Sequence, residues 1–170
     1  MARYMAIRAR DISDGPGIRV AVYFQGCPYH CPGCWNSDSW DPAGGDEWNK
    51  KEEDAVIDLA KDPTVVGLSL LGGEPLYEPT IDATLSLVKR FKETYPEKNI
   101  WIWSGNIFEK MNDRELEVLK YCDVLVDGPF ILEKRDVKQR YAGSTNQRVI
   151  DLNKTFEDKE LTLWEGKLYG

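Results

Sequence analysis

Two hydrophobic periods take turns along this chain. In IRVAVYFQ (residues 18–25) the branched and aromatic side chains Val20, Val22 and Phe24 recur at every second position, which predicts a strand. Residues 49–61 instead place Ala55, Val56, Leu59 and Ala60 on one helical face, and DPTVVGLSLL (62–71) then supplies a helix stop and a buried strand. Pro79 and Thr80 open a second helix with Ile81, Leu85 and Val88 at i, i+4 and i+7, ahead of the strand NIWIWSG (99–105). Asn112 is a good cap for a third helix through Leu116 and Leu119, and DVLV (123–126) follows as a short apolar strand.

The order βαβαβαβ requires right-handed crossovers and predicts a mostly parallel sheet covered by helices. Four or five such units fall short of the roughly 250 residues of a closed eightfold barrel, so the expected fold is α/β, a partial, open (β/α) barrel. Such sheets place ligands at the C-terminal ends of their strands. Four segments with unusual chemistry fall there: the cysteine-rich stretch after residue 25, Gly72-Gly73-Glu74-Pro75, Ser104-Gly105 and Asp127-Gly128-Pro129.

Composition narrows the setting. The 170 residues, 42% hydrophobic and 30% charged, suit one domain, taken as residues 1–152 with a polar tail over 153–170. The opening MARYMAIRAR has cations but no apolar run behind them for export or membrane insertion, so the expectation is a soluble, cytoplasmic protein without a membrane partner. A net charge of −7 argues against a nucleic-acid partner, which calls for a basic face to displace phosphate counterions. The single histidine lies inside the cysteine loop, which leaves little for acid–base hydrolysis.

That loop, FQGCPYHCPGCWN (24–36), holds three of the four cysteines. Buried structural cysteines favour apolar elements, whereas Cys27, Cys31 and Cys34 sit among prolines and glycine. Structural zinc needs four ligands, and the usual second CxxC or HxxxH half is missing. Cys122, between a helix and a strand, reads as core. The CxxxCxxC spacing suits three irons of a [4Fe–4S] cubane, whose usual complement is four cysteines, and leaves the fourth iron open.

CxxxCxxC after a first strand is similar to the hallmark of the radical S-adenosylmethionine enzymes. DGPGIRVAVYFQGCPYHCPGCWN, LSLLGGEPLY, IWIWSG, DVLVDGPF and GSTNQRVIDL, in this order over most of residues 4–152, further resemble one branch, the activating enzymes of anaerobic, class III ribonucleotide reductases. The resemblance implies a [4Fe–4S] cluster on Cys27, Cys31 and Cys34 and S-adenosylmethionine on its open iron. It also implies a low-potential electron donor such as flavodoxin or ferredoxin, and a large glycyl-radical reductase subunit as partner, from one of whose glycines a hydrogen is taken.

For the cofactor pocket the resemblance points to Gly72, Gly73 and Glu74 at the amino group, where glycines admit a ligand and a carboxylate can accept from an ammonium. Bulk at Gly73 is then expected to weaken cofactor binding and spare the cluster. Trp35 is expected to stack on adenine; the family's aromatic often precedes the last cysteine, where this chain has Gly33, which offers backbone access instead. Asn36 orients a neighbouring loop or contacts the cofactor. Asp127 is assigned to the ribose or an ion, with Gly128, Pro129 and Phe130 where some relatives carry a lysine. Arg19, behind the Asp14-Gly15-Pro16-Gly17 turn, pairs with a carboxylate, lies on the surface or steadies the turn. Residues 140–152 line the partner's glycine loop or form a capping loop and edge strand, and Trp101 and Trp103 pack in the core. The competing readings are a radical enzyme for another glycyl-radical protein or for a small molecule, as in deazapurine synthesis, and an iron–sulfur electron carrier that never cleaves a cofactor.

Overall fold

A computed structural model describes residues 1–166, among which the chain forms seven β-strands and four α-helices. The helices start where their caps dictate. Asn49 and Glu52 form a reciprocal capping box at the head of α1 (Lys50–Leu59), and Asn112 accepts the Glu115 amide at the head of α3 (Asp113–Leu119). Helix α2 (Ile81–Thr94) is tied to the preceding turn by the Thr84 hydroxyl, which donates to the Pro75 carbonyl at 2.8 Å. No described helix is long and apolar enough to cross a membrane.

The sheet runs β3-β1-β2-β4-β5-β6-β7 and does not close. Its centre is β2 (Ile18–Gln25), β4 (Val65–Gly72), β5 (Asn99–Trp103) and β6 (Val124–Asp127), all parallel, as the alternating pattern predicts. Antiparallel strands finish both sides: β1 (Arg3–Asp11) beside β2, with the two-residue β3 (Asp46–Glu47) beyond it, and β7 (Arg148–Asp151) beside β6. Strand β7 agrees with the edge-strand reading of residues 140–152, one of the two that the sequence left open. Strand β1 carries little apolar alternation because it is half-exposed and is covered by β3 only at Arg3 and Tyr4, so it tolerates Arg3, Arg8 and Arg10.

Period-two alternation sorts the central strands onto two faces. Val20, Val22, Phe24, Leu68, Leu70, Ile100, Ile102 and Leu125 join the main core with Leu87, Val88 and Phe91 of α2. Trp101, Val124 and Val126 form a second cluster with Trp103, Tyr141, Val149 and Trp164. Arg19 shares that second face and does not lie on the surface. It is fully buried, donates to Ser69 Oγ at 2.7 Å, Leu68 O at 2.9 Å and Pro16 O at 3.0 Å, and so steadies the turn. Cys122 is buried, its thiol 3.5 Å from the Val118 carbonyl.

Past residue 152 the chain stays attached to the sheet. Helix α4 (Leu152–Asp158) buries Leu152 and Thr155, the Trp164 amide donates to Val149 O at 2.8 Å, and the Trp164 ring meets Trp101 edge-on at 4.9 Å. Residues 167–170 of the expected tail lie outside the described residues. Trp164→Ala should therefore cost about 2 kcal/mol of unfolding free energy, against under about 0.5 kcal/mol for the exposed Glu157→Ala. Anaerobic urea unfolding of both variants checks this; equal, negligible effects would mean that the segment after α4 adds nothing to the fold.

Candidate functional site

The cysteine loop is fixed by backbone bonds at both ends. Where β2 stops, Gly26 N–H donates to Ser39 O at 2.6 Å and Cys27 N–H to Trp40 O at 3.2 Å; further on, Cys34 N–H closes a turn onto Cys31 O at 3.0 Å. His30, in a left-handed conformation with φ of 45°, stacks flat on Trp40 at 4.7 Å and does not line the cleft. All three loop thiols do, each partly exposed. Burial pushes the Cys27 and Cys31 thiols up, opposed by the backbone amides of Tyr29 and His30 at Cys27 and of Phe130 at Cys31. Thiols held protonated in this way are weak nucleophiles, and a metal that bound them would have to displace their protons.

Beside them lies the turn after β4. Phe24 pairs with Gly72 across the β2–β4 ladder, Gly73 N–H donates to Phe24 O at 2.8 Å, and Glu74 N–H donates to Gly26 O at 2.8 Å. The sequence assigns the glycines here to ligand approach, but the tightest neighbour is protein. A Cβ on Gly73 would stand 2.3 Å from Gly26 O, and one on Gly72, whose φ is +111°, 2.5 Å from the Phe24 backbone. Bulk at Gly73 therefore strikes the root of the cysteine loop, which corrects the expectation that it would spare the cluster.

Glu74 is 3% exposed, yet its carboxylate borders the cleft. Its two oxygens accept from Gly105 N–H at 2.7 Å and Leu76 N–H at 3.0 Å, joining the ends of β4 and β5. Burial pushes the carboxyl up to about 7 against these amides. The β6 end closes the group, with Ser104 N–H on Val126 O and Gly128 N–H on Asn106 O, both at 3.0 Å. The four strand ends singled out in the sequence thus meet around one cleft of about 590 Å³.

Cys27, Cys31, Cys34, Trp35, Asn36, Gly72, Gly73 and Glu74 all border this cleft. Gly33 and Asp127 do not. Gly33 faces Leu132, and Asp127 is 1% exposed and already engaged, accepting from Phe108 N–H at 2.9 Å and from Arg148 at 3.1 and 2.5 Å. Trp35 is 70% exposed, with the Arg135 guanidinium 5.5 Å over its ring.

Sequence reading missed the opposite wall. There the Tyr23 hydroxyl bridges Asp14 and Asp11, burial and the neighbouring Asp11 hold the Asp14 carboxyl high, and Arg8 lies 4.6 Å over the Tyr23 ring. Tyr23 was available from strand periodicity, since it alternates with Val22 and Phe24. Tyr141 and Gln147 also border the cleft; both fall within residues 140–152, for which the resemblance offers a lining role as one of two readings.

Among the described residues no three His, Cys, Asp or Glu side chains converge on a single ion. Ligands of a cubane need not converge, because each thiolate takes a different iron. Cys122, buried between α3 and β6 and absent from the cleft wall, is no fourth ligand, so the donor set of three thiols fits a cluster with one open iron.

Residues 13–150 match the family model of the 4Fe-4S single cluster domain, a span that includes all three loop thiols. Fold and site thus define an α/β iron–sulfur protein. The chain is similar to the anaerobic ribonucleoside-triphosphate reductase-activating protein of Vibrio cholerae, at 39% identity over 139 residues, 81% of this chain and 90% of the relative. It is also similar to those of Escherichia coli strain K12, at 36% over 141 residues (82% and 92%), and of Enterobacteria phage T4, at 36% over 147 residues (86% and 92%). The chain belongs to the family of anaerobic ribonucleoside-triphosphate reductase-activating proteins.

Two outcomes follow from the site. Gly73→Ala should lower both stability and the iron retained after anaerobic reconstitution, measured by unfolding and iron assay; full iron content would show that the Gly73–Gly26 contact is dispensable. In the cluster-free protein, Glu74 ionises near 4.5 when unfolded and near 7 when folded, so the folded state holds the extra proton between those values. The stability it contributes is complete below the unfolded value and is lost as pH rises through the folded one. Urea unfolding across that window should show a downward slope that Glu74→Gln flattens; parallel slopes would remove Glu74 as its origin.

Proposed function

We propose that this protein activates an anaerobic ribonucleotide reductase by placing a glycyl radical on its large subunit. The carrying observation is the donor set: three cleft-facing thiols, no fourth cysteine within the cleft wall, and a buried Glu74 at the neighbouring strand end. Membership of the activating-protein family and the match to a single-cluster domain support the same reading. We also read the unclosed sheet as an open partial barrel, since the cleft lies on the face opposite α2.

On this reading Cys27, Cys31 and Cys34 hold a [4Fe–4S] cluster, and S-adenosylmethionine binds beside it. Bound together, they supply one-electron cleavage of the sulfonium to methionine and a 5′-deoxyadenosyl radical, the electron coming from a low-potential donor. The chain's own residues bind and orient. Glu74 keeps lone pairs beyond the two it gives to backbone amides, and these suit the ammonium of the methionine moiety. Trp35 offers an exposed aromatic face for adenine.

Because such a radical attacks many C–H bonds, selectivity depends on which hydrogen is held near its 5′ carbon. Glycine suits an open cleft: without a side chain, its backbone enters a narrow space, and transfer of its α-hydrogen gives 5′-deoxyadenosine and a radical stabilised by the flanking amides.

Anaerobically reconstituted protein should carry about four irons and four sulfides. Alanine at Cys27, Cys31 or Cys34 should abolish that content and Cys122→Ala should keep it. With reductant, S-adenosylmethionine and a class III reductase, electron paramagnetic resonance should show a glycyl doublet that is absent when the reductase glycine is replaced by alanine. No 5′-deoxyadenosine would reduce the protein to an electron carrier. A signal that survives the glycine replacement, or turnover stimulated only by a small molecule, would reject the partner.

A further inference from the structure

Between β6 and β7 the chain makes an excursion, residues 129–147, that is ordered by its own bonds. At its base Gln147 Nε2 donates to Gly128 O at 3.0 Å and Asn146 Nδ2 to Pro129 O at 2.8 Å; further out Thr145 N–H donates to Lys134 O at 2.8 Å and Asp136 N–H to Gly143 O at 3.2 Å. This arm rests directly on the cysteine loop. The Phe130 amide bonds the Cys31 thiol, Leu132 packs so closely on Gly33 that a Cβ there would stand 2.7 Å from it, and Arg135 covers Trp35.

The outer side of the arm has a composition unlike the rest of the protein. Lys134, Arg135, Lys138 and Arg140 face only two acidic residues of the same stretch, Glu133 and Asp136, in a chain of net charge −7. All four cations are exposed, and none forms an ion pair among the described residues. Asp136 accepts the Lys138 amide at 2.9 Å. Between the cations lie exposed apolar side chains: Leu132, 46% exposed, and Val137, 73% exposed, with Trp35 beside them. Apolar contacts ringed by unpaired charge of one sign are the makings of a docking surface whose partner carries the opposite sign.

We propose that the outer face of this arm, centred on Lys134, Val137 and Lys138, is where an acidic one-electron carrier protein docks to reduce the cluster. The inference rests on the proposed function, which consumes one electron per cleavage and leaves its source open. Electron delivery needs proximity to the thiol loop without entry into the cleft, because the cleft must admit the polypeptide whose hydrogen is taken. The arm meets both conditions: Phe130, Leu132 and Arg135 touch the Cys31 thiol, Gly33 and Trp35, while Lys134, Val137 and Lys138 are exposed and do not border the cleft. Opposite charge also speeds encounter in a way that salt suppresses, which suits a carrier that must arrive, deliver and leave.

The test compares two reductants on Lys134→Glu/Lys138→Glu. 5′-Deoxyadenosine formation by reconstituted parent and variant is measured with dithionite and with photoreduced flavodoxin, an acidic carrier used as the probe, over a range of ionic strength. The expected result is an unchanged dithionite rate, a flavodoxin-driven rate lower by roughly tenfold or more at low salt, and a salt dependence present in the parent and flattened in the variant. Lys134→Gln/Lys138→Gln should fall between them. Equal flavodoxin rates in parent and variant, or a parental rate indifferent to salt, would overturn the proposal. So would a variant that cleaves S-adenosylmethionine normally with either reductant but no longer forms the glycyl radical on the reductase, because the arm would then dock the reductase. If the parent yields no 5′-deoxyadenosine even with dithionite, the activating function itself falls, an outcome distinct from loss of the flavodoxin-driven rate alone.

Discussion

Two backbone bonds between the ends of β2 and β4 hold the site together: Gly73 N–H to Phe24 O and Glu74 N–H to Gly26 O, each 2.8 Å. They prolong a parallel ladder by one step past its last side-chain pair, and this welds the first residues of the cysteine loop to the turn that carries Glu74. The approach is too close for any side chain at Gly73, so the glycine serves the contact between two protein segments first and a ligand second. From Glu74 the connection passes to Gly105 at the end of β5, and from Ser104 to Val126 on β6. The cleft is thus framed by consecutive strand ends, each fixed to the next by a hydrogen bond.

The division of the sheet into two faces explains how a domain of this size keeps such a cleft. The aliphatic positions of β2, β4, β5 and β6 are spent on the helix side, where α2 covers them. The other face carries Arg19, Ser69, Trp101 and Trp103, with Tyr23 toward the cleft. Arg19 is desolvated there but satisfied by a hydroxyl and carbonyls, which limits the cost of burying its charge. Trp164 and Tyr141 then close one side of this face over Trp101, so the segment after β7 contributes to the wall behind the site.

Charge follows a similar division. Arg148 ties Asp127 to Glu109 beneath the β6 end, and Lys92 ties Asp123 to α2 at 2.7 Å, so these carboxylates serve the frame. Glu74 is held by the Gly105 and Leu76 amides and the Ser104 hydroxyl, and burial outweighs these donors and raises its carboxyl, whereas Asp127 belongs to an ion pair. A carboxylate at a strand's C-terminal end can therefore face the ligand or brace the sheet, and the choice depends on which cation reaches it.

The sequence by itself determined the parallel centre of the sheet, the starts of α1 and α3, the core position of Cys122 and the meeting of the cysteine loop with the Gly72–Glu74 turn. Each follows from local periodicity, from caps within a few residues, or from the rule that strands in a βαβ series end on one edge. Strand β1 was not legible, because a half-exposed strand close to the sheet's edge imposes no clean alternation on its residues. Nor were the roles of Asp127 and Arg19: whether a buried charge faces a ligand or a structural partner depends on Arg148, twenty-one residues away, and on Ser69, fifty away. The same holds for the arm over residues 129–147, whose contacts with Gly33 and Trp35 span about a hundred positions. Only the tertiary structure decided these, because long-range pairing brings together residues whose local sequences carry no sign of one another.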